Sequence, residues 1–131
     1  MILIDSNIPM YLIGAQHPNK EAARRALEEA VAAGESLCTD AEVLQEILHR
    51  YTAIRRPEEI DPAFRTLLAV VDVVYPIERA DVERARRLLA TTPTLSARDA
   101  IHVSVMQARD VGQVLTFDMG FDGIPGITRV S

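Results

Sequence analysis

The apolar positions of this chain alternate between two kinds of spacing. Ile2, Leu3 and Ile4 form a short continuous apolar run ending in Asp5, the pattern of a strand buried on both faces of a parallel sheet. Asp5 then falls at the carboxyl edge of that sheet. A short helical stretch follows from Ile8 to Ile13. Asn19 stands where it can cap a longer helix, in which Ala22, Ala23, Ala26, Leu27, Ala30 and Val31 recur at helical spacing until Gly34 stops it. Ser36 to Thr39 reads as a second strand, and Asp40 caps a helix running to about Ala53. Pro57 opens another helix, with Ile60, Phe64, Leu67, Leu68 and Val71 at its apolar positions. Val73 to Ile77 has strand composition, and Ala80 to Ala90 is helical with a charged outer face. Ser96 starts a helix reaching about Arg109, Gln113 to Phe117 is a strand, and Ile127 to Val130 is a last short one.

Strands therefore alternate with helices from end to end. This predicts an α/β fold with a central, mostly parallel sheet of four to five strands flanked by helices. Ligands of such sheets bind at the carboxyl ends of the strands, near the point where strand order reverses. No Pro/Gly/Ser-rich linker and no internal repeat interrupts the 131 residues, so residues 1–131 are expected to form one domain with one core.

Composition narrows the class. Met1 leads straight into the apolar run, and no basic leader or long apolar stretch is present, so neither a signal peptide nor a membrane span is expected. The single cysteine, Cys38, cannot form an internal disulfide and fits a reducing cytoplasm. A net charge of −5 argues against holding nucleic acid by bulk charge alone. Thirteen of the fourteen basic residues are Arg, with Lys20 the one Lys. Arg offers a forked geometry suited to phosphate or carboxylate, although the composition bias of a GC-rich genome is the favoured explanation of so many Arg.

Four acids are candidates for a carboxylate cage that holds a divalent metal: Asp5, Glu46, Asp99 and Asp118. Asp5 ends the first strand, and Ser6 or Asn7 can cap the following helix, leaving its carboxylate free. On a helical wheel Glu46 lies about 60° from Val43, at the flank of the stripe Val43, Leu44, Ile47, Leu48 and Tyr51, whereas Glu42 and His49 point away from it. Asp99 has the spacing of a capping box with Ser96, a role compatible with ligation. Asp118 follows a strand and opens a Gly-rich loop, where its alternative role is a turn former; Asp122 shares that ambiguity. Thr116 is placed to orient water or phosphate. His102 lies one turn beyond Asp99, but without a second His or Cys nearby it is read as a packed or partly satisfied histidine and not as a ligand.

At these residues the chain resembles the PIN-domain family, and within it the VapC-like toxins of bacterial type II toxin-antitoxin systems. The segments MILIDSN, TDAEVLQEILHRY, ARDAIHVSVMQA and TFDMGFDGIPGI carry the resemblance, in that order and across essentially the whole chain. One departure stands out: many relatives carry a further acid directly before the Phe of the last segment, where this chain has Gly120. Asp122 lies just after that Phe instead.

The resemblance implies a PIN-like three-layer sandwich and a ribonuclease that hydrolyses RNA phosphodiesters with metal-activated water. Asp5, Glu46 and Asp99 would hold the principal ion, Mg²⁺ or Mn²⁺, and Asp118 would complete the cage or support a second. It also implies a cognate VapB-like antitoxin and a homodimer. Arg50, Arg55 and Arg56 are candidate phosphate contacts beside the Glu46 helix. Other readings fit less well: a receiver domain needs a late Lys, and a dehalogenase-type phosphatase wants Asp where Asn7 stands. The competing expectation is a PIN-like domain without catalysis, acting as a binding or scaffold protein.

Overall fold

A computed structural model describes residues 1–130. The chain runs β1 (Ile2–Ile4), α1 (Asn7–Ile13), α2 (Pro18–Ala32), β2 (Leu37–Asp40), α3 (Ala41–Ala53), α4 (Ile60–Leu68), β3 (Val73–Tyr75), α5 (Arg79–Thr91), α6 (Ala97–Ala108), β4 (Gln113–Leu115) and β5 (Thr128–Val130). The strands form one sheet in the order β3-β2-β1-β4-β5, every neighbouring pair parallel. This is the expected α/β sandwich.

Side chains of successive strand residues point to opposite faces, and this divides the core in two. Ile2, Ile4, Leu37 and Leu115 pack with Ile8, Ala23, Val43, Ile47 and Leu67, which belong to α1 to α4. On the other face Leu3, Cys38 and Val114 pack with Ala85, Ala100, Val103 and Met106 of α5 and α6. Burial on both sides explains why β1 carries no polar residue until its end. The register aligns Leu3 with Cys38 and with Val114. Two residues further along each strand, Asp5, Asp40 and Thr116 therefore turn toward the same helix, α6.

Strand order reverses at β1: β2 and β3 extend from one side, β4 and β5 from the other. The crevice between the carboxyl ends of β1 and β4 is the topological switch point.

Several boundaries differ from expectation, each for a local reason. His17, not Asn19, caps α2: its ring nitrogen accepts from the Asn19 N–H at 3.0 Å, and Pro18 takes the first helical position. Proline there holds the preceding residue extended, here at φ −158° and ψ 147°. β3 stops at Tyr75 and not Ile77, because Pro76 has no N–H for the ladder. β4 stops at Leu115 and not Phe117, whose N–H donates to Asn7 Oδ1 at 3.3 Å. Pro57 begins a single 3₁₀ turn, Pro57–Glu59, ahead of α4. Gly34 does follow α2 in the left-handed region, at φ 76°. Val31, Leu48 and Leu68, expected on buried stripes, are exposed.

Candidate active site

Asp5 is buried at the end of β1 and held from three sides. Its Oδ1 accepts from the Ser6 N–H at 2.7 Å, and its Oδ2 from the Thr116 hydroxyl at 2.7 Å and the Asn7 side-chain amide at 3.5 Å. Asn7 also donates to Thr116 Oγ1 at 3.0 Å, and so does the Asp118 N–H, likewise at 3.0 Å. Thr116 thus links the ends of β1 and β4 through one hydroxyl. Burial raises the pKa of Asp5; Glu46 pushes the same way, while His102 and the hydrogen bonds oppose it.

Glu46 reaches the crevice from α3, as its place on the wheel predicted. The Ser6 hydroxyl donates to its Oε2 at 2.8 Å, and His102 Nε2 lies 2.6 Å from its Oε1. His102 is fully buried, and its other nitrogen, Nδ1, lies 2.8 Å from Asp40 Oδ2. Asp40 is itself fully buried and caps α3 by accepting from the Val43 N–H at 2.9 Å. A carboxylate at each ring nitrogen favours the doubly protonated ring, the imidazolium, which donates to both. Burial pulls its pKa down, but Asp40, Glu46 and Asp5 together carry it well above the ordinary value.

Asp99 lies in the first turn of α6, its N–H donating to Ser96 Oγ at 3.1 Å. Its side chain turns away from the cap and hydrogen-bonds to Asp118. Burial, Asp118 and Asp5 raise its pKa to about 7, against a smaller opposing pull from His102. Asp118 ends the chain's path out of β4, its Oδ1 accepting from the Gly120 N–H at 2.8 Å. A Cβ on Gly120 would lie 3.0 Å from Asp118 Oδ1 and 3.5 Å from Asp99 Oδ2. A side chain at position 120 would therefore press directly on Asp118, which would have to give way by a few tenths of an ångström.

All four sequence-predicted acids come together at the switch point. Sequence reasoning missed their partners. His102 is packed and satisfied, as expected, but the partners that satisfy it, Asp40 and Glu46, were not foreseen; its spacing of three from Asp99 on the buried stripe of α6 was the available signal. Glu42 is half-buried and not solvent-facing: burial raises its pKa, and Arg98 Nε lies 3.8 Å away. Asp122 stays outside, paired with Arg129 at 2.9 Å and 3.2 Å. Of the three candidate arginines, only Arg50 shares a cavity with Glu46; Arg56 pairs with Glu58 and Glu59.

Ligating atoms of Asp5, Glu46 and His102 lie within 4.8 Å of one another. A protonated ring nitrogen has no lone pair to give a cation, so the donors on offer are carboxylate oxygens. Hard oxygen donors with several charges in a small buried space suit a hard divalent ion.

Known proteins share this chain's sequence and its fold. Over its whole length the chain is 60% identical to the whole of a VapC ribonuclease of Mycobacterium bovis and of ribonuclease VapC13 of Mycobacterium tuberculosis. Among solved structures, VapBC2 from Rickettsia felis, bound to a promoter DNA fragment, superposes with a TM-score of 0.75 at 16% identity, covering 99% of this chain and 98% of that one. That likeness concerns the fold alone. The PIN domain family matches residues 2–127, a span that holds the entire sheet up to β5 and all four clustered acids, and the chain belongs to that family.

Proposed function

We propose that this protein is a VapC-type toxin, a ribonuclease that hydrolyses RNA phosphodiester bonds with the help of Mg²⁺ or Mn²⁺. The convergence of Asp5, Glu46, Asp99 and Asp118 at the carboxyl edge of the sheet carries the reading, together with the 60% identity to VapC ribonucleases over the full chain. Asp5, Glu46 and Asp99 would hold the principal ion, with Asp118 completing the cage or supporting a second. Such an ion acidifies a water and neutralises charge that builds on the scissile phosphate.

The chain's own residues prepare the site. Ser6 fixes both Asp5, through its N–H, and Glu46, through its hydroxyl. Thr116 and Asn7 hold the second oxygen of Asp5, and His102 holds Glu46 against α6. Carboxylates about 4 Å apart repel by roughly 4 kcal/mol per pair at an effective dielectric of 20, so a cation relieves the site. A scaffold without catalysis has less support, because four clustered acids have no purpose there.

The toxin reading brings a VapB-like antitoxin as partner, a homodimer, and a cytoplasmic setting in keeping with the single reduced Cys38. Among the described residues no helix is long and apolar enough to cross a membrane. The test is a cleavage assay on single-stranded RNA with Mg²⁺ and again with excess chelator. Cleavage that needs the ion supports the proposal; cleavage that persists in chelator refutes it.

A further inference from the structure

Beside the acids lies a cavity of about 410 Å³ between α1, α3 and the start of α6. Ser6 and Glu46, which are hydrogen-bonded to each other, belong both to it and to the acid cluster. Met10, Tyr11, Tyr51 and Ile54 supply apolar lining, and Arg50 and Arg98 supply positive charge. The Tyr11 ring is pinned edge-on against Phe117, centroids 5.4 Å apart, and lies 5.0 Å from the His17 ring. Ile54 is 43% exposed although it is a large aliphatic residue. Arg50 is exposed and makes no ion pair among the described residues.

The lining calls for a ligand with one flat apolar part and at least one anionic group, joined to whatever reaches the acids. We propose that the cavity seats the nucleotide next to the scissile phosphate of a single-stranded RNA, its base against the Tyr11 and Ile54 side and its phosphate toward Arg50 and Arg98. This inference rests on the ribonuclease reading and adds a specificity site to it. Charge complementarity favours RNA: the unpaired Arg50, with Arg98 beside it at 3.8 Å from Glu42, lines a cavity adjoining the acid cluster, in a chain of net charge −5. A volume of about 410 Å³ is of a size to take one unstacked base. Single-stranded bases are recognised in this way, by stacking on aromatic rings and guanidinium planes.

The test uses a single-stranded RNA pool randomised over twelve positions, incubated with Mg²⁺ and sequenced at its cut ends. Wild type, Tyr11→Leu, Ile54→Ser and Arg50→Gln are compared, with urea midpoints for each. Tyr11→Leu keeps bulk but removes the ring; Ile54 and Arg50 are exposed, so those variants stay informative if Tyr11→Leu fails to fold. Wild type is expected to prefer certain bases at one position beside the cut. In the variants that preference flattens, and KM rises about 5- to 150-fold with kcat held, as when a stacking contact is lost. Unchanged base frequencies and unchanged KM in all folded variants overturn the proposal, leave the ribonuclease reading intact, and give the cavity to a protein segment instead. If wild type cleaves no RNA with Mg²⁺ or Mn²⁺, both readings fall together.

Discussion

Asp99→Asn should make the metal-free protein more stable at pH 8 and leave it little changed near pH 4. In the folded protein burial, Asp118 and Asp5 lift the Asp99 pKa to about 7, against 3.8 in the ordinary carboxyl. The folded state therefore binds a proton more tightly than the unfolded chain. Below pH 4 both states are protonated and nothing is lost; as pH rises from about 4 to 7, stability falls, because the unfolded chain gives up its proton first. At about 1.4 kcal/mol per unit, the full shift corresponds to roughly 4 kcal/mol. Asp99 keeps 8% of its surface exposed, and partial screening through that opening reduces this to about 2 kcal/mol. Asparagine keeps the N–H to Ser96 Oγ and can still bond Asp118, so the difference isolates the charge. With a urea slope of about 2 kcal/mol per M for a chain of this size, the midpoint rises by roughly 1 M at pH 8. Unfolding in chelator at pH 4, 6 and 8, followed by circular dichroism, measures this directly. Saturating Mn²⁺ should close the gap by stabilising wild type, by about 2.7 kcal/mol at a hundred times Kd. An Asp99→Asn protein no more stable than wild type at pH 8, or a difference that ignores pH, refutes the reasoning.

His102→Ala removes the cation between buried Asp40 and half-buried Glu46 and should cost about 3–5 kcal/mol in urea unfolding; a cost under about 1 kcal/mol would contradict the imidazolium bridge. Asp40→Ala takes the cap from α3, worth about 1 kcal/mol, and also releases His102, so RNA cleavage should drop by more than a lost cap alone explains. Asp122→Asn breaks only an exposed pair with Arg129 and should leave the cleavage rate unchanged; a large loss would bring Asp122 back into the site. Gly120→Asp places a third carboxylate beside Asp99 and Asp118, and should lower metal-free stability at pH 8 while tightening Mn²⁺ binding in calorimetry.

The parts of the site legible in the sequence were those written in periodicity. A strand buried on both faces has to be apolar until it reaches the crevice, so the first polar residue, Asp5, marked the edge. The wheel placed Glu46 at a flank because 3.6-residue geometry leaves few alternatives. What escaped depends on how distant segments meet. His102 sits on the stripe that carries Val103 and Met106 into the core, where an imidazole needs partners, but Asp40 is 62 residues away in sequence and Glu46 is 56. Judging it as a zinc ligand asked the wrong question; asking what satisfies a buried ring would have found the pair. The Ser96 cap formed as its spacing implied, yet the Asp99 side chain faces Asp118, a contact made only when β4 returns beside β1. Pro18 and Pro76 already held the true limits of α2 and β3, through a fixed φ and a missing donor.

The central claim is that these acids form a metal-dependent centre for cutting RNA. It is tested most directly by following cleavage of single-stranded RNA across a Mg²⁺ titration for wild type and Asp5→Asn, with Mn²⁺ binding and urea midpoints measured on the same samples. Wild type should cleave only as the ion is added, and Asp5→Asn should stay folded, bind Mn²⁺ more weakly and leave the RNA intact. A folded Asp5→Asn protein that cuts RNA at the wild-type rate would contradict the account.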